Sequence, residues 1–157
     1  MSKIRWIAIG AAILLLVGLM FPPHAALITQ MPNGAASSGD PVKNKVIDRI
    51  MAELAQCESG NDPDAVNEYD LDGTASYGLY QFKPSTLLAE GMRFGVFSDI
   101  EPAEIMNVIY DRGIQTAVAR AMISERGNEQ AFWDQQFPGC GEKYRFWEYL
   151  EKDTAKT

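Results

Sequence analysis

Histidine is almost missing from this 157-residue chain: the single one, His24, stands close to the N-terminus, ahead of the stretch that reads as the folded domain. Without an imidazole in the domain, Ser-His-Asp and Cys-His catalysis are excluded there, and most zinc sites with them. Cysteine is scarce too, with only Cys57 and Cys140. Basic blocks are lacking, no aromatic–basic alternation occurs, and the net charge is −7, all of which argues against a nucleic-acid partner. Any reaction must therefore run on carboxylates, hydroxyls or phenols.

Long uncharged runs are also rare. The one that stands out is WIAIGAAILLLVGLMF, the 16 residues from Trp6 to Phe21, preceded by Lys3 and Arg5 and ended by Pro22-Pro23. Its length falls between a signal peptide's apolar region and a spanning helix. We expect residues 1–24 to form an N-terminal hydrophobic helix that anchors the chain in a membrane, with a cleaved signal segment as the alternative. Both readings export the remainder of the chain, because Lys3 and Arg5 favour a cytoplasmic N-terminus. Residues 25–41, rich in Gly, Ser and Pro, read as a flexible tether. Residues 42–157 are then one domain, long enough to bury a single modest core.

Within that domain the periodicity is helical. Val42, Val46, Ile47, Ile50, Met51 and Leu54 fall on one face of a helix that should end near Gln56 to Glu58, before Ser59-Gly60-Asn61-Asp62-Pro63. Asp72-Gly73 predicts a tight turn in a loop or short hairpin. A short helix should begin at Pro84. The stretch from Ser98 to Gly127 predicts one broken or two consecutive helices, with Gly113 as the break and Gly127 as the stop. The aromatic-rich segment after it predicts a short helix and a turn at Pro138-Gly139. The fold class is mainly α, with at most a short β-hairpin.

Two cysteines in an exported domain read as a disulfide, Cys57–Cys140. Glu68, Asp70 and Asp72 imitate the start of a calcium loop, but its twelfth position holds Leu79 where a bidentate Glu is needed; turn chemistry accounts for them better. Glu58 is the candidate for chemistry. At a helix end beside Gly60, near Tyr77, Tyr80 and Phe82, a carboxyl shielded on one side keeps its proton near neutral pH. A protonated carboxyl in a cleft is what glycosidic-bond cleavage requires. Gln81 would meet sugar hydroxyls or amides, and Tyr77, Tyr80 and Trp133 would offer flat faces to pyranose rings or else pack in the core.

CESGN, then YGLYQF, then FWDQQFPGC resemble the lysozyme-like domains of resuscitation-promoting factors and lytic transglycosylases. Those families carry Glu-Ser-Gly followed by a Gly-apolar-any-Gln-apolar stretch, and the first of them adds cysteines where Cys57 and Cys140 stand. The similarity spans roughly Val46 to Gly141. It implies a small lysozyme-like fold and cleavage of the MurNAc–GlcNAc β-1,4 bond of peptidoglycan, with Glu58 as acid and then base. The alternatives are a hydrolytic muramidase and an inactive peptidoglycan-binding module of an envelope apparatus. The expected partners are glycan strands and, through the N-terminus, the membrane. No metal or organic cofactor is implied, since a proton relay through one Glu needs neither. The Ala-Tyr-Asn motif of many lytic transglycosylases has no match here, and the loop before GLYQF is acidic for an anionic polymer.

Overall fold

A computed structural model describes residues 40–70 and 72–154. The expected N-terminal helix and the tether up to residue 39 lie outside the described residues. Among the described residues no helix is long and apolar enough to cross a membrane.

The described chain is mainly helical, with one two-stranded antiparallel hairpin. Helix α1 runs Pro41–Ser59. It starts where a side chain can satisfy its first amides: the Asp40 carboxylate accepts from the Val42 N–H (2.9 Å), and Pro41, lacking an N–H, fills the first helical position. Ile47, Ile50, Met51 and Leu54 form its buried stripe, whereas Val42, the first member of the expected stripe, lies in solvent. Gly60 ends the helix in the left-handed conformation (φ +67°), which costs a residue without Cβ nothing.

Strands β1 (Val66–Asn67) and β2 (Ser76–Tyr77) pair in the register Val66↔Tyr77 and Asn67↔Ser76. In the loop joining them Gly73 adopts φ +77° and donates to the Asp70 carbonyl (2.8 Å). Helix α2 (Pro84–Arg93) comes next, again with proline in its first turn, and then a 3₁₀ turn at Pro102–Asn107. Helix α3 spans Arg112–Arg126. Gly113 is inside its first turn, so the expected break comes earlier. Asp111 makes it, its carboxylate accepting from the Ile114 N–H (2.9 Å) and pinning the new start. Gly127 does end α3, but with ordinary right-handed φ. The glycine is required there by space: a Cβ would lie 2.5 Å from the Ile123 carbonyl and 2.7 Å from Leu150 Cδ1.

The C-terminal part is three short helices, α4 (Gln130–Gln136), α5 (Pro138–Tyr144) and α6 (Phe146–Thr154). Pro138, expected in a turn, opens α5 instead, since proline's fixed φ suits a first helical residue. The sharp reversal falls at Arg145, held at φ +51°. Helix α6 packs on α1 and carries residues beyond the stretch covered by the sequence resemblance. The core between these helices is aromatic: Phe132, Trp133, Phe137 and Phe146 meet at centroid distances of 4.9–6.0 Å, and Phe82 joins them through Phe137 (6.1 Å).

A Cys57–Cys140 disulfide ties the end of α1 to α5 across 83 residues of chain. Closing a loop of that length restricts the unfolded chain by about 4 kcal/mol. Replacing both cysteines by alanine should lower the unfolding free energy by roughly that amount, read as a shifted urea midpoint with an unchanged folded-state circular dichroism spectrum.

Candidate active site

The last turn of α1 places Glu58 on the wall of a cleft of about 840 Å³. Its other walls are the hairpin with its loop, the start of α2 at Lys83 and Thr86, and the α4–α5 corner from Gln135 to Cys140. Cys140 thus belongs to the same lining as Glu58, and its disulfide partner Cys57 precedes Glu58 in the chain. Three contacts hold the parts of this wall together.

First, the Ser59 hydroxyl lies 2.9 Å from the Leu79 carbonyl and accepts from the Asp62 N–H (3.1 Å). This is why the Glu-Ser-Gly and Gly-Leu-Tyr-Gln-Phe stretches belong together: the serine of one bonds the backbone of the other. Second, Gln81, at φ +50°, uses its amide to fasten the hairpin. Its Nε2 donates to the Gly78 carbonyl (2.8 Å), and its Oε1 accepts from the Ser76 hydroxyl (3.0 Å). Gln81 also lines the cleft, as expected of a substrate contact.

The third contact is one the sequence reading misses. Gln115, on α3, is 0% exposed. Its Oε1 accepts from the Tyr80 N–H (3.0 Å), and its Nε2 donates to the Tyr77 carbonyl (3.0 Å) and to the Ile109 carbonyl. Gly78 leaves room for it, because a Cβ there would lie 2.0 Å from the Gln115 Nε2. A signal is present in the sequence: Gln115 stands three and four residues before Val118 and Ala119, on the face of α3 that is otherwise apolar, and a polar side chain on a buried face must find partners.

The aromatic residues distribute differently from the expectation. Trp133 is 0% exposed, in the core, and donates its indole N–H to the Gly127 carbonyl (2.7 Å). Tyr80 is 4% exposed and packs edge-on against Phe82. Neither ring has a face for a sugar, and core packing wins because aromatic rings bury more area there than a groove can offer. Tyr77 is half-buried, edge-on to Tyr110 (5.9 Å), and lies outside the cleft lining. Of the expected site residues the structure brings Glu58, Gln81 and Cys140 into one cleft, with Cys57 bonded to Cys140.

The electrostatics centre on Glu58. Its carboxyl is pushed up to about 7, first because burial penalises the charged form and second because Asp70 is negative nearby. Asp70 and Asp72 both approach Lys83, at 3.6 Å for Asp70 and in direct contact for Asp72. Hydrogen bonds from Lys83 and then from Thr74 hold the Asp72 carboxyl well below the usual carboxylate range. The residues that imitate a calcium loop thus build an Asx turn, Thr74 N–H to Asp72 Oδ1 (3.0 Å), and a lysine contact.

A family model for the transglycosylase SLT domain matches residues 38–124. That span contains α1, the hairpin, α2 and nearly all of α3, hence Glu58, Gln81 and Gln115, while the wall from Gln135 to Cys140 lies beyond it. Comparison with curated proteins and with solved structures returns no match.

This geometry has two measurable consequences. Gln115→Ala strands the Tyr80 N–H and the Ile109 carbonyl, and should cost about 3 kcal/mol in urea unfolding. Glu58→Gln should do the reverse. A carboxyl whose folded-state pKa is raised from 4.5 to about 7 stabilises the fold below 4.5 and loses that contribution as pH climbs to about 7. The glutamine variant should therefore be more stable than wild type at pH 8, by about 2 kcal/mol after allowing for partial wetting, and no more stable at pH 4.

Proposed function

The chain belongs to the family of transglycosylase SLT domains, and we propose that it cleaves the MurNAc–GlcNAc β-1,4 bond of peptidoglycan with Glu58 as its one catalytic carboxyl. The family supports peptidoglycan-cleaving activity of the lytic transglycosylase type. The observation that carries the assignment of Glu58 is its place: a half-dry carboxyl, proton-bearing near neutral pH, on the wall of a cleft roomy enough for sugar rings.

In this reading the neutral Glu58 donates its proton to the glycosidic oxygen as the C1–O bond breaks. The resulting carboxylate then takes the proton of the same sugar's 6-hydroxyl, whose oxygen bonds to C1. The product is a 1,6-anhydro ring, and Glu58 is again protonated. A retaining hydrolase would instead want a second carboxylate about 5 Å away as nucleophile. Asp70 and Asp72 are in the cleft lining, but both are engaged by Lys83, and Asp72 is a weakened base. This supports the one-carboxylate route over hydrolysis. Export supplies the meeting of enzyme and wall: the apolar run from Trp6 to Phe21 delivers the domain outside the cytoplasm, anchored by its N-terminus or released if the segment is cleaved. The disulfide fits that oxidising side.

Digestion of purified sacculi tests the reading. Glu58→Gln should release muropeptides roughly 10²–10⁴-fold more slowly than wild type. Wild-type products should be one water lighter than their hydrolysed counterparts. The rate should fall on an alkaline limb centred near pH 7, because the acid is lost as Glu58 ionises. Equal release by both proteins would remove Glu58 from the mechanism, and no release by either would leave a glycan-binding module.

A further inference from the structure

The charged lining of the cleft consists of Glu58 from α1, Asp70 and Asp72 from the hairpin loop, and Lys83 at the start of α2. The α4–α5 corner, from Gln135 to Cys140, contributes only uncharged groups. Among the described residues Lys83 is thus the one cation of the lining, and it faces two carboxylates at once, its Nζ in contact with Asp72 and 3.6 Å from Asp70. Its backbone caps α2, and its neighbour Phe82 is bonded through backbone N–H and carbonyl to Tyr77 (3.0 Å each). The ammonium is therefore delivered from a rigid base, while the loop it grips is fastened at its far end by the two-residue hairpin.

We propose that Lys83 is a positioning residue for the reaction at Glu58, strapping the Asp70–Asp72 loop over the cleft and absorbing the negative charge that loop would otherwise turn on the acid. The inference rests on the assignment of Glu58 above. Two unit charges a few ångströms apart at a protein surface interact strongly enough to move a titration. Asp70 already acts on Glu58 in the sense that raises its pKa. Lys83 moderates that influence and holds the carboxylates in one place. Without it, Glu58 would bear its proton to higher pH, yet the resulting conjugate base would face an unneutralised loop, and that wall of the cleft would lose its tie.

The test uses the full chain in Lys83→Met and Lys83→Arg forms, with two readouts. Titration of the Glu58 carboxyl carbon by NMR should show its midpoint raised in Lys83→Met by roughly half to one pH unit, and close to wild type in Lys83→Arg. Adding Asp70→Asn and Asp72→Asn to the methionine variant should return the midpoint to the wild-type value or lower. The alkaline limb of sacculus digestion should move with it, accompanied by a several-fold higher KM in Lys83→Met that arginine restores. A Glu58 midpoint that stays put or falls in a folded Lys83→Met protein overturns the proposal. The NMR titration does not depend on turnover, so a shifted midpoint in a protein whose digestion proves indifferent to Glu58→Gln would retain the electrostatic coupling and remove the catalytic assignment instead.

Discussion

Two stretches of chain separated by about twenty residues have to meet before any cleft exists, and buried hydrogen bonds make them meet. The Ser59 hydroxyl reaches the Leu79 carbonyl, and the Gln115 amide spans Tyr77, Tyr80 and Ile109 from the opposite side. Between these two anchors the Gly78–Phe82 segment has little freedom. Its left-handed residues, Gly78 and Gln81, aim the Gln81 amide at the hairpin. A buried amide with all its partners present specifies one arrangement, because every slip leaves a polar atom stranded. The hairpin, only two residues per strand, could not hold itself in water. It exists because this clamp holds it.

Burying the acid opposes stability. Glu58 is placed where ionisation is disfavoured, and the cost is set against the core of α1, the aromatic cluster and the disulfide cross-link. A carboxyl at the end of a helix without such backing would turn to solvent and titrate like any surface glutamate. Asp70 adds to the effect.

Much of this is readable from the residues alone. The apolar stripe of α1, the proline-led start of α2 and the pairing of the two cysteines all come from local rules that the structure obeys. The aromatic residues are harder. A Tyr or Trp looks the same in a sequence whether it lines a groove or fills a core, and Trp133 and Tyr80 take the core. Gly113 and Pro138 look like breaks by their identities, but the breaks are set by Asp111 and Arg145, through a carboxylate cap and a left-handed turn. Gln115 escapes notice because two of its three partners are backbone atoms of Tyr77 and Tyr80, more than thirty residues away, which only the assembled fold brings to it.

One wall of the cleft, from Gln135 to Cys140, is made well after the residues it faces. Cys140 and the corner beside it emerge from the ribosome, and pass through any export channel, long after Cys57 and Glu58, because synthesis runs from the N-terminus. Until that segment arrives, the cleft has only part of its wall and Cys57 has no mate. A nascent or truncated product would therefore carry the motif without the machinery. The motif around Glu58 and the wall that completes its cleft are thus made at different times.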